Sequence, residues 1–246
     1  MKKFFIGLLL SCISLVGFAQ DPANNKREVF ISKLLKQQIV KQHASVEDSV
    51  GSILKRYPEQ VDIVVKVALR DYPQSYEEIM LGAIHAEPAL ACDVISQVIN
   101  SDVAPSADVV KVAIDVEPAY AAEIIETAVL HKPDDIGEIV RVAIVTDPII
   151  SDDIVEQTMQ TFPEKMLSVL TGAIKAVPDN VVSFVKNTLA LFPDNGEQVV
   201  EAAISETKDQ QNKAIFEAAV AAGLSIEQAQ LAALKGGATK EQLAKN

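Results

Sequence analysis

The side chains able to do chemistry are few and scattered. Histidine occurs at His43, His85 and His131, and no His-x-x-x-His or Cys-x-x-Cys spacing joins any of them to a second ligand. A structural or catalytic zinc needs several convergent nitrogen or sulfur donors, so these read as surface histidines. Cys92 is a lone thiol beside an apolar stripe. That is the pattern of a small packing residue, with an intermolecular disulfide as its alternative. The acidic pairs Asp134-Asp135 and Asp152-Asp153 sit where helices are expected to begin. A carboxylate there stabilises the positive end of the helix dipole. Calcium is the sharper alternative, since hard cations want clustered oxygens, but no Asp-x-Asp-x-Asp-Gly loop is present. Tyr57, Tyr72, Phe162 and Phe192 each directly precede a proline. They are the candidate interaction residues. The preferred reading is a hydrophobic staple that fixes each turn; the alternative is an exposed aromatic row along one edge, able to anchor a peptide or glycan. No Gly-x-Ser-x-Gly elbow, phosphate-cradling glycine loop or dinucleotide fingerprint occurs. No catalytic residue, metal or cofactor is therefore expected, and the chain reads as a non-enzyme.

The elements that must carry these residues are set by a repeat. After Pro22 the prolines fall at 58, 73, 88, 105, 118, 133, 148, 163, 178 and 193, a spacing of 15 broken only at Pro105, two residues late, with Val103 in the expected place. Counting from each proline, apolar residues recur at +6, +7, +10 and +11, as in Ile79, Met80, Ala83 and Ile84, or Ile139, Val140, Ala143 and Ile144. Intervals of one, three and one trace a single stripe along a helix. Proline has no amide hydrogen and restricts the residue before it, so it divides one helix from the next. Asp179-Asn180 and Asp194-Asn195 are expected to act as side-chain N-caps.

A longer period lies inside the first. Units beginning at 73, 103, 133, 163 and 193 carry GAI, VAI, VAI, GAI and AAI at matching places, whereas the intervening units have VAL, QVI, TAV, QTM and NTL. The repeat is thus a 30-residue helical hairpin with two unlike helices. The small residues predict a closer-packed first helix, and the Gln, Thr and Asn predict a second helix more open to water. A single unit cannot bury its stripe, so hairpins must stack. The expected fold is an all-α, right-handed α-solenoid over residues 28–222, with six hairpins from about 43 to 222 making an arc roughly 50–60 Å long. Residues 28–42 read as a divergent first helix whose lysines suit a polar end. Residues 223–246 read as a C-terminal helical cap, with capping boxes Ser225/Gln228 and Thr239/Gln242 and helix stops at Gly223 and Gly236-Gly237.

In these hairpins the chain resembles tetratricopeptide-like and HEAT-like solenoids, and the Pro-Asp-Asn turns at 178–180 and 193–195 are similar to the start of a tetratricopeptide first helix. It departs from that family in its 30-residue period, in placing proline before both helices and in lacking the large aromatic positions. The resemblance implies a binding scaffold and carries over no specific residues.

Residues 1–19 read as a signal peptide: Lys2-Lys3, an apolar run from Phe4 to Val16, and small residues in Gly17-Phe18-Ala19 before a cut at Gln20. Residues 20–27 read as a flexible leader. Lipid anchoring through Cys12 is a minor alternative, opposed by the apolar residues that follow it. The formal charge of −12 becomes −14 when the two lysines depart. An acidic exported chain is a poor ligand for nucleic acid or anionic lipid. No second apolar run predicts membrane insertion after cleavage. The expected location is the bacterial periplasm or the outside of the cell. The expected function is a protein-binding scaffold with a basic partner, and the alternative is a self-assembling structural matrix or surface component.

Overall fold

In the computed structural model, residues 22–244 are described, so the expected signal peptide and Cys12 lie outside the described residues. The chain begins with α1 (Pro22–Lys36), which runs on into one π-helical turn at Gln37–Lys41. Three hairpins follow: α2 (Val46–Arg56) with α3 (Val61–Asp71), α4 (Tyr76–Ala86) with α5 (Ala91–Asn100), and α6 (Ser106–Val116) with α7 (Ala121–His131). Three more complete the stack: α8 (Ile136–Thr146) with α9 (Ser151–Thr161), α10 (Met166–Ala176) with α11 (Val181–Leu191), and α12 (Gly196–Ser205) with α13 (Asn212–Ala221). The chain closes with α14 (Ile226–Lys235) and α15 (Lys240–Ala244). No strand is present among the described residues.

Helices of the same parity stack on one another, α2 on α4 on α6 and α1 on α3 on α5, while each also packs on its hairpin partner. The result is an all-α solenoid of two helical layers, one even and one odd. The predicted stripe is the core between them: Ile79, Met80, Ala83 and Ile84, and likewise Ile139, Val140, Ala143 and Ile144, have no exposed surface. One hydrophobic cluster runs unbroken from Ile31 to Ala238.

The prolines divide the helices by a mechanism other than the expected side-chain caps. At nine of them the proline opens a single 3₁₀ turn that feeds directly into the next α-helix. The preceding residue leaves the helical region, as at Phe192 with φ −130° and ψ 66°, yet its amide still donates to the old helix, here to Thr188 O at 2.8 Å. Its carbonyl then accepts from the third residue of the new turn, as Asn195 N–H does to Phe192 O at 3.1 Å. Backbone therefore satisfies backbone through eight of the nine junctions, and at Pro148 the Asp147 side chain caps the turn, its Oδ1 accepting from Ile149 N–H at 3.2 Å. Asn180 and Asn195 make no side-chain cap. The amides at the start of the next helix already donate to carbonyls of the 3₁₀ turn, as Val181 N–H does to Pro178 O, so no side-chain cap is needed.

Two other expectations are corrected or refined. The first helix starts at Pro22, so residues 22–27 of the expected flexible leader are helical. At Pro105 the two extra residues form a looser turn in which Asp102 takes φ 51°, and α6 begins there without a 3₁₀ turn. At the C-terminus both capping boxes form: Ser225 Oγ accepts from Gln228 N–H at 3.1 Å, and Gln242 Oε1 accepts from Thr239 N–H at 2.8 Å. Gly223 and Gly237 take the left-handed conformation that ends a helix without a Cβ clash, at φ 110° and 105°.

The even layer packs more tightly than the odd, and its glycines show why. A Cβ on Gly82 would fall on the carbonyl of Glu47 in α2, and one on Gly172 on the carbonyl of Gly137 in α8. Gly236 meets Glu201 O in the same way, at 2.6 Å from an added Cβ. All three contacts link residues 35 apart, so one register of backbone-to-backbone approach recurs along this layer.

Candidate functional site

The sequence candidates do not converge. Even helices end at one edge of the solenoid and odd helices at the other. Tyr72, Phe162 and Phe192 close the odd helices α3, α9 and α11, half-buried against the core. Tyr57 closes the even helix α2 at the opposite edge, 43% exposed, with the Arg56 guanidinium 5.6 Å from its ring centre. The aromatic row imagined along one edge is therefore split between two, because the four residues belong to helices of unlike parity. His43 lies in the bend before α2 with φ 56°, His85 Nδ1 is 3.3 Å from Glu47 Oε1, and His131 ends α7, exposed. Cys92 is partly exposed rather than buried, at the start of α5. No group of three or more His, Cys, Asp or Glu among the described residues is placed to hold a metal ion.

The acidic pairs behave differently from each other. Asp135 accepts from Ser106 Oγ at 2.7 Å, and Asp134 lies 3.5 Å from Lys165 Nζ. The pair before α8 thus reaches back to the start of α6 and forward to the start of α10, tying three even helices together. Asp152 and Asp153 sit exposed in the first turn of α9.

The two outer faces differ in electrostatics. On the even face three cations are each paired, Lys111 with Asp115 at 3.0 Å, Arg141 with Glu138, and Lys175 with Glu206 at 3.4 Å, while exposed Glu77, Asp108 and Glu201 are in no ion pair among the described residues. The hydrogen bond from Arg141 holds the Glu138 carboxyl below its usual range. On the odd face α5, α7 and α9 contain no Lys or Arg. They expose Asp93, Glu123, Glu126, Asp152, Asp153 and Glu156, and among the described residues none of these six is in an ion pair. Asp93, Glu123 and Asp153 repeat at intervals of 30, as do Glu126 and Glu156, so the carboxylates form ladders across the stack. Between α7 and α9 is a notch of about 60 Å³ floored by Ile125, Ile154 and Phe162. Leu130 at the end of α7 is 67% exposed and Ile149 before α9 is 93% exposed.

The N-terminal end has the opposite character. Glu28 receives Lys66 at 2.9 Å and Arg70 at 3.1 Å, and Asp71 receives Ser32 Oγ at 2.5 Å and Arg70 at 3.0 Å, so α1 is clamped onto α3. The Lys66 hydrogen bond, with help from Arg70, lowers the Glu28 pKa. Burial pushes Asp71 up, but the bonds from Ser32 and Arg70 outweigh it and the net direction is down. The outward side of α1 exposes Lys26, Phe30 (62%) and Lys33, with Val29 beside them. Residues 22–71 hold 9 Lys and Arg against 6 Asp and Glu, whereas residues 72–205 hold 6 against 22. That partition is legible in the sequence, but the single net charge of −12 conceals it.

A concavity of about 730 Å³ is an open groove between the start of α12 and α14. Asp194, Glu197, Glu201, Gln228 and Lys235 line it, with no histidine or cysteine to give it a reactive centre. No described helix is long and apolar enough to cross a membrane. The architecture is that of a helical repeat protein, and comparison of the chain with protein-family models, curated proteins and solved structures finds no match.

Proposed function

We propose that this chain is an exported, non-enzymatic repeat scaffold that binds a protein partner along its extended surface, in the periplasm or outside the cell. The observation that carries this reading is the outer face of α5, α7 and α9: three stacked helices without a Lys or Arg and six exposed carboxylates, with exposed Leu130 at the end of α7 and Ile149 in the turn before α9. Leaving like charges uncompensated on adjacent helices is unfavourable in the free protein. It gives complementary potential to a basic partner and repels nucleic acid and anionic lipid. Lys2-Lys3 followed by the apolar run to Val16 supports export. The test is crosslinking capture of the tagged chain in its native cells, with fractionation and mass spectrometry. One stoichiometric partner crosslinked to α5, α7 or α9 is the expected result. Partners mapped only to the even face would overturn it.

The second reading, a self-assembling structural or surface component, has one observation in its favour. The positive surplus of residues 22–71 and the negative surplus of 72–205 are complementary between copies. It predicts recovery of the chain's own copies alone.

A further inference from the structure

We infer that the outward side of α1 is a ligand for the odd face of a second copy, seated across α7 and α9. This rests on the reading of that face as a binding surface and names one occupant for it. Both halves of the complementarity are in the one chain. Helix α1 offers Lys26, Phe30 and Lys33 on a single exposed stripe, since residues three and four apart share a face. Its opposite side is already committed to α3 through Glu28 and Ser32. The odd face offers Glu126 and Glu156 in one ladder, with the notch floored by Ile125, Ile154 and Phe162 between α7 and α9.

The spacings agree. Seven residues of α-helix separate Lys26 from Lys33, a rise of about 10 Å. Packed neighbouring helices lie about 8–10 Å apart. A helix laid across α7 and α9 therefore sets one lysine over each carboxylate and the edge of the Phe30 ring over the notch between them. Phe30 is an aromatic side chain 62% exposed beside cations, and burial would remove apolar surface from water. Charge pairing on an exposed face is weak singly and sensitive to salt, so association should be reversible and favoured at low ionic strength.

The test is sedimentation velocity on residues 20–246 at 10–300 μM, in about 50 mM and about 500 mM salt. Concentration-dependent association at low salt, weakened about tenfold or more at high salt, is expected. Both K26E/K33E and F30S should abolish it, while circular dichroism confirms an unchanged helix content. The charge-swapped pair gives the decisive arm: K26E/K33E mixed with E126K/E156K should form heterocomplexes that neither forms alone. A wild-type chain that stays monomeric, or one whose association ignores the α1 variants, overturns the inference. Separately, a synthetic amphipathic Lys/Leu helical peptide is titrated onto wild type and E126K/E156K. Peptide binding lost in the acidic-face variant, with no self-association, would sink the second copy as occupant and leave the face standing; no peptide binding at all would sink the face itself.

Discussion

The even and odd layers are built from the same 15-residue unit and the same apolar stripe, yet they solve different problems. In the even layer the residue beside the stripe is Gly82, Val112, Val142, Gly172 or Ala202, and at Gly82 and Gly172 the backbones approach until a carbonyl occupies the space of a Cβ. Its cations Lys111, Arg141 and Lys175 are each paired, and its helix starts are tied by Ser106, Asp134, Asp135 and Lys165. In the odd layer the same position is Val67, Gln97, Thr127, Gln157 or Asn187, and the outward carboxylates of α5, α7 and α9 are in no ion pair among the described residues. The even layer holds the stack together by backbone contact at its glycines and by ties between helix starts, while the odd layer presents three successive helices without a Lys or Arg.

The sharpest way to break that contrast is to add volume at equivalent places. Gly172→Val forces a side chain into the Gly137 carbonyl and should destabilise the solenoid by about 1–3 kcal/mol. Asn187→Val, at the matching odd position, should stay within about 0.5 kcal/mol. Denaturant unfolding of the two variants compares them directly, and equal losses would erase the distinction. Ser106→Ala removes the bond to Asp135 and should cost about 1 kcal/mol. Ser96→Ala, whose hydroxyl bonds only to Cys92 O within its own helix, should cost less by the same measurement.

A pH dependence follows from the one strongly paired part of the odd layer. Glu28 and Asp71 have pKa values lowered in the folded state. Their contribution is complete above the ordinary carboxylate range near pH 4 and is lost as pH falls through their lower folded values. Hydrogen exchange in α1 should accelerate on acidification before exchange in α8 does. Simultaneous acceleration of both would show that α1 is not separately clamped. The smallest expected effect is at Glu126→Gln, which relieves the like-charge pair with Glu123 one turn away and should stabilise α7 by about 0.2–0.5 kcal/mol at low salt. Destabilisation instead would mean that Glu126 has a partner in the free chain.

Most of the architecture was legible because it is local. Proline fixes where a helix must stop, and the +6, +7, +10, +11 stripe fixes which side is buried, so helix bounds and core followed from spacing alone. The unlike character of the two layers also showed, in GAI against NTL. What failed was capping chemistry: Asp179-Asn180 has good cap residues, but the Pro178 turn closes through backbone, and residue preference cannot reveal which acceptor wins. The Ser106–Asp135 bond joins positions 29 apart and depends on tertiary register. The split of the aromatic row was recoverable, since Tyr57 ends a first helix and the other three end second helices. The run of α5, α7 and α9 without Lys or Arg was recoverable too, by tallying charge helix by helix rather than per chain.

Each helix packs on helices one or two places away along the chain. Growth of the polypeptide from its N-terminus therefore delivers every packing partner almost as soon as it is needed. Once α3 has emerged, α1 already has the surface it docks on; once α4 has emerged, so does α2. Low contact order of this kind favours rapid folding. For a nascent chain it means that the stack can lengthen hairpin by hairpin, with only the newest helix waiting uncovered.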